Sequence, residues 1–275
     1  MPSRPSTSAW TPGGGALIGV LHLGELLGQP GFRGVEAEVA TALRDAELLQ
    51  AGGLDALIIE NWRDTSPGPF VGPESVACLA AVARAVVERA RVPVGINVLP
   101  NDYRAAFALA RACGLAFVQL DVLVDPVRTD YSYSTAPPFE VRVDLQDLAR
   151  TRERLGAVAT PLLATVHPKH YALLEERTLE RSVEDAVAAG AQGVVVTGTR
   201  TGSAPDPERV RRAKAAAGST PVILGSGLDP ENARALLPLC DGAIVGTALR
   251  APDMGQVDPA RVRALVAAAR AATRP

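Results

Sequence analysis

Short runs of Val, Ile and Leu alternate with longer amphipathic runs eight times from Ala16 onward, and this rhythm restricts the fold more than any other feature. The apolar runs are 16–22, 56–61, 94–99, 116–122, 162–167, 193–197, 222–225 and 242–246. Near-continuous apolar strands are expected where a parallel sheet carries helices on its outer face. The stretches between them read as helices: in 75–90, Val76, Leu79, Ala83, Val86 and Val87 fall on one side. Asp206-Pro207, Asp229-Pro230 and Asp258-Pro259 read as N-caps followed by proline in the first helical position. Gly53, Gly114 and Gly190 stand before strands, where a left-handed helix end is expected. The phrases 51–57, 112–118 and 189–195 resemble one another, a weak repeat with one strand–helix unit per copy.

Eight such units with right-handed crossovers close most simply into a (β/α)8 TIM barrel, of the kind found among ribulose-phosphate-binding barrels. A doubly wound open sheet is the alternative, and it would more often carry a Gly-x-Gly-x-x-Gly turn after its first strand, which this chain lacks. The 275 residues and 47% hydrophobic content suit a barrel of about 250 residues. The expected layout is a flexible tail over 1–14, rich in Pro, Ser, Thr and Gly, followed by one barrel domain over 15–275.

A net charge of −2 with 21% charged residues gives no basic excess, so neither nucleic acid nor a membrane surface is an expected partner. The N-terminus lacks the apolar run of a signal peptide, and no stretch reaches membrane-span length. Cys78, Cys113 and Cys240 have no metal-ligand spacing and read as free thiols of a reducing compartment. A cytoplasmic protein is expected, with homo-oligomerisation through exposed helices or loops.

In such a barrel the chemistry lies at the C-terminal ends of the strands. There the sequence places His22, Glu60, Asn97 with Asn101, Asp121, His167 with Lys169, and Thr197 with Arg200. Side chains alternate along a strand, so His22 shares a side with Ile18 and Val20, Glu60 with Ile58, and Asp121 with Phe117 and Gln119. His167 falls on the side opposite Ala164. All three histidines, and one of only two lysines, cluster at these ends or just beyond. Burying so many polar groups without a ligand is costly, which marks the set as a candidate active site.

Two further turns, Gly225-Ser226-Gly227 and Gly246-Thr247, end the seventh and eighth predicted strands. Small residues there let backbone N–H groups approach a phosphate. Tight turns that merely need glycine are the plain alternative. Two long connections, 62–72 with Trp62 and Phe70, and 123–143 with Tyr131, Tyr133 and Phe139, could close over the mouth or contact another subunit.

These same residues resemble the BtpA family, also called the BtpA/SgcQ family. The matching phrases are 19–23 (GVLHL), 55–61 (DALIIEN), 93–99 with Asn101-Asp102, Val166-His167-Pro168-Lys169-His170, 196–202 (VTGTRTG) and the two glycine turns. The resemblance spans about Ala16 to Arg250 and implies a barrel. It also carries a label, photosystem I biogenesis, while other members look related to sugar or nucleoside metabolism. After His22 the family usually continues with a proline-rich loop, and this chain reads Gly24-Glu25-Leu26-Leu27-Gly28-Gln29-Pro30 instead. The region 123–143 is also individual.

The expected activity is an enzyme acting on a phosphorylated sugar or nucleotide-like molecule, by isomerase, lyase or glycosidic-bond chemistry. Glu60, Asp121, His22 and His167 would move protons or stabilise charge. Asn97, Asn101, Lys169, Thr197 and Arg200 would bind substrate, and Gly225, Ser226, Gly227, Gly246 and Thr247 would hold phosphate. No cofactor and no metal is expected. The alternatives are a Schiff-base aldolase on Lys169, a metal-dependent hydrolase using His22, Glu60, Asp121 and His167, and a non-catalytic assembly or regulatory factor.

Overall fold

The structure, a computed structural model, describes residues 10–64, 68–129, 137–200, 202–252 and 255–273. From the N-terminus its elements are β1 (Ala16–His22), α1 (Val35–Ala51), β2 (Ala56–Glu60), α2 (Pro73–Arg89), β3 (Val94–Asn97), α3 (Tyr103–Cys113) and β4 (Phe117–Leu120). There follow β5 (Val127–Thr129), β6 (Glu140–Val141), α4 (Leu145–Arg154), β7 (Leu162–Val166), β8 (Tyr171–Leu173) and α5 (Leu179–Ala188). The chain ends with β9 (Gly193–Val196), α6 (Pro207–Ala217), β10 (Val222–Leu224), α7 (Ala233–Leu236), β11 (Gly242–Val245) and α8 (Pro259–Ala272). Eight strands close a barrel in the order β1, β2, β3, β4, β7, β9, β10, β11, and every neighbouring pair is parallel. This is the (β/α)8 architecture.

Alternation along the strands divides the apolar side chains into two layers. Ile18, Val20, Ala56, Ile58, Phe117, Leu163, Val195, Ile223 and Ile244 fill the lumen, while the other parity packs against the helices. Phe117 fits because its register partner on β3 is Gly95. A Cβ at Gly95 would stand 2.2 Å from the Phe117 ring. Below the lumen Trp10 stacks on Phe117, ring centroids 5.3 Å apart, and donates its backbone N–H to the Ala116 carbonyl at 3.4 Å. The N-terminal segment expected to be a loose tail to residue 14 is therefore docked from Trp10 onward.

Most of the expected helix signals work as capping chemistry dictates. Asp206 accepts from the Glu208 N–H, and Asp258 from the N–H groups of Ala260 and Arg261. The expected cap at Asp229-Pro230 is different. Asp229 exchanges hydrogen bonds with Asn232 in a polar turn, and α7 begins only at Ala233. Cys78 and Cys113 are buried on α2 and α3, Cys240 is half-buried, and all three are free. Among the described residues no helix is long and apolar enough to cross a membrane.

The insertion after β4 folds into something the sequence did not suggest. β5 pairs antiparallel with β6 and with β8, so the 123–143 region and the segment after β7 form one three-stranded sheet. Val122, Val127 and Val141 make its apolar contact, with Phe139, Tyr171 and Leu173 packed on them. Tyr131 and Tyr133 lie outside the described residues.

Candidate active site

The strand tips surround a cavity of about 920 Å³. Of the expected residues, His22, Glu60, Asn97, Asp121, Lys169, Thr197, Gly225, Ser226, Gly227, Gly246 and Thr247 all line it. Three do not.

Asn101 is buried and occupied: it donates to the Val122 carbonyl and accepts the Val122 N–H, both at 2.9 Å. Asn61 makes the same bidentate clasp on the backbone of Leu99. These two side chains extend the ladder where the strands part. Arg200 is exposed, away from the cavity lining.

His167 turns the other way. Its backbone takes a positive φ of 45°, which breaks the inward parity that Leu163 and Thr165 obey. The ring lies against α5, with Nε2 3.1 Å from the Ser182 Oγ. Ser182 donates to Asp125 at 2.5 Å, and Asp125 also accepts the His167 N–H at 2.8 Å. Arg177 approaches Asp125 at 3.6 Å. The cluster anchors the turn that carries Lys169, while His170, also at positive φ, closes its far side. The Lys169 N–H is held by the Thr197 hydroxyl at 3.2 Å.

Inside the cavity Glu60 and Asp121 are the two carboxylates. Asp121 accepts from the side-chain amides of Asn97 at 3.2 Å and Gln119 at 3.4 Å. Gln119 in turn reaches the Thr165 hydroxyl. Burial pushes the Asp121 carboxyl up, against the pull of Asn97, Lys169, Gln119 and Tyr171. Glu60 is raised to about 7, first by burial and then by the nearby Asp121 charge, with the Lys169 ammonium acting in the opposite sense. Burial thus favours the protonated form of both carboxyl groups, most clearly at Glu60, and the Lys169 cation opposes it at both.

His22 is held by two residues that the sequence reading did not pick out. Arg250 donates from Nε to the His22 Nδ1 at 3.2 Å and from Nη2 to Asp45 on α1 at 2.9 Å. Both Arg250 and Asp45 are buried. Burial, then the charges of Arg250 and Lys169, lower the His22 pKa to about 3. The edge of its ring meets Trp62, centroids 5.4 Å apart. Tyr171 and Thr165 also line the cavity and were not foreseen. Only the strand-end position of Thr165 could have flagged any of these four residues.

The glycine turns that line the cavity are closely fitted. A Cβ at Gly225 would meet Val195 at 2.5 Å, and one at Gly227, whose φ is +75°, would meet the Ala204 backbone at 2.1 Å. Ser226 donates to the Ser203 carbonyl and accepts the Gly198 N–H. Packing of Gly198, Ser203 and Ala204 onto this turn is therefore one reason for its glycines. Gly246 opens a short 3-10 turn, Thr247–Leu249, after the eighth barrel strand. Among the described residues no three His, Cys, Asp or Glu side chains are grouped to hold a metal ion. With His167 turned outward, the four-residue ligand set considered from sequence does not come together.

A profile of the BtpA family matches residues 14–271. The chain belongs to the BtpA family. Within it the chain is similar to an uncharacterized protein of Pyrococcus abyssi, 37% identical over 84% of this chain and 86% of that one. It is also similar to the photosystem I biogenesis protein BtpA of Synechocystis, 34% identical over 92% of this chain and 87% of that one. Among solved structures this BtpA-family barrel superposes on a Mycobacterium tuberculosis tryptophan synthase chain with a TM-score of 0.58, at 20% identity, over 95% and 93% of the two chains. Thiamine phosphate pyrophosphorylase of Pyrococcus furiosus gives 0.57 at 15% identity, over 94% and 98%. Identities this low speak to the barrel itself.

Proposed function

We propose that this BtpA-family barrel is an enzyme acting on a phosphorylated sugar or nucleotide-like small molecule, with Glu60 and Asp121 as its acid and base. The observation that carries the reading is a single cavity lined by two carboxyl groups whose pKa values burial raises, by Lys169 and by the paired glycine turns. A carboxyl raised to about 7 is poised both to take and to give a proton at neutral pH. The turns after the seventh and eighth barrel strands, with a short helical turn starting at Thr247, are where barrels of this architecture commonly hold phosphate. Lys169, beside both carboxyls, supplies the positive charge that an anionic substrate or developing oxyanion needs. Isomerisation, lyase chemistry and glycosidic-bond chemistry all use this set.

The test is a thermal-shift screen of the purified protein against sugar phosphates, nucleoside monophosphates and inorganic phosphate. A ligand at a hundredfold excess over its Kd stabilises the folded state by about 2.7 kcal/mol. The expected result is a rise in Tm with phosphorylated compounds that disappears in Thr247→Glu, which sets a negative charge at the exposed end of the turn. No rise with any of them would sink the reading. It would favour the assembly or regulatory role suggested by the Synechocystis relative's name.

A further inference from the structure

We infer that His22 is a hydrogen-bond donor of fixed tautomer, neutral in the working enzyme, and that Arg250 and Asp45 are the positioning residues that keep it so. The argument is geometric. A guanidinium carries only donors. Its Nε stands 3.2 Å from the His22 Nδ1, so that nitrogen can only accept. The ring's single proton is therefore on Nε2. A second proton on Nδ1 would set one N–H against another inside a buried contact. Arg250 cannot swing away, because Nη2 is tied to the buried Asp45 at 2.9 Å and Nη1 to the Gly255 carbonyl at 2.8 Å.

The groups facing the ring agree. Arg250 stands on one side, the Lys169 ammonium contributes a second positive charge, Trp62 offers an apolar edge, and Glu60 is the register partner on β2. Both cations disfavour an imidazolium, and burial acts in the same direction. The Nε2 edge faces the second glycine turn: a Cβ on Gly246 would lie 3.1 Å from Nε2. His22 thus lines the cavity between Glu60 and the second glycine turn, and Nε2–H is the one donor its ring can offer to a ligand oxygen there. Such a group polarises or orients an oxygen and carries no proton through the cycle. This ligand role rests on the function proposed above, whereas the tautomer does not.

The tautomer is tested on the free protein by two-bond 1H–15N correlation of its three imidazoles, with His22→Gln, or His167→Gln and His170→Gln by elimination, assigning the signals. The expected spectrum has a bare acceptor Nδ1 and a protonated Nε2 that do not titrate from about pH 5 to about pH 9, where an ordinary imidazole does. Titration of His22 within that range, or the opposite tautomer, would overturn the inference. In Arg250→Met, or in Arg250→Met combined with Asp45→Leu if the single variant does not fold, Nδ1 loses its only donor. The Nδ1–H tautomer should then appear in the spectrum and the His22 pKa should rise, while burial and Lys169 still hold it below the usual 6.5. An unchanged signal would remove Arg250 and Asp45 from the role. For the ligand contact the probe is inorganic phosphate: its Tm rise should persist in His22→Gln, whose amide N–H can replace Nε2–H, and vanish in His22→Ala. Persistence in His22→Ala would refute that contact. If wild-type protein shows no rise with phosphate or any phosphorylated compound, the proposed function fails while the tautomer stands.

Discussion

The imidazole of His22 occupies the space that a side chain on Gly246 would need: a Cβ there would come within 2.5 Å of the ring's Cε1. Gly246 has a φ of −124°, so its backbone does not demand glycine, and the constraint is purely one of room. Gly246→Ala should therefore fold, yet push the ring off Arg250 and narrow the turn. The expected outcome is a loss of roughly 1–3 kcal/mol in stability, as for other overpacked sites, together with loss of the phosphate-dependent Tm rise. Retention of that rise would place the phosphate elsewhere.

Glu60 makes a second prediction, one of sign. Its folded-state pKa of about 7 lies above the ordinary 4.5, so the folded protein binds this proton more tightly than the unfolded chain. The stability linked to it is full below about pH 4.5 and is lost as pH rises through 7. The displacement corresponds to roughly 3 kcal/mol at most. Glu60→Gln should match the wild type near pH 4.5 and exceed its stability increasingly toward pH 8, while losing turnover. Denaturant titrations at three pH values measure the difference directly, and a constant difference would refute the shift.

Lys169 is the cation that opposes this shift. Lys169→Met should raise the Glu60 pKa further, so the linked decline in stability still begins near pH 4.5 but runs on to higher pH. Carbon-13 NMR of the glutamate side chains reads the change, and a Glu60 that titrates lower in the variant would contradict the arrangement.

The buried Arg250–Asp45 pair sets a fourth expectation. Removing one partner strands the other charge, at a cost of about 3–5 kcal/mol. Arg250→Met alone should fall in that range, and Arg250→Met combined with Asp45→Leu should recover part of the loss. Equilibrium unfolding of the two variants decides it.

The barrel was readable in the sequence because its strands are apolar on both faces and short, and because Ile18–Val20–His22 and Phe117–Gln119–Asp121 keep strict alternation to their ends. His167 escaped that logic. Alternation holds only while the backbone stays extended, and a residue at φ 45° aims its side chain by other rules. Arg250 and Asp45 escaped because their contact joins positions 205 apart in the chain, one on a helix and one past the last barrel strand. No local pattern encodes such a pair. The strands of the small sheet are two or three residues long, too short for a period to register.

Trp10 makes the two rims of the barrel unlike. A closed ring of strands has an upper rim, where the polar cavity opens, and a lower one, where the indole rests against Phe117. Shortening the chain past Trp10 would uncover one side of the Phe117 ring, while Ile18, Ile58, Leu163, Val195, Ile223 and Ile244 would still plug the lumen between that rim and the cavity.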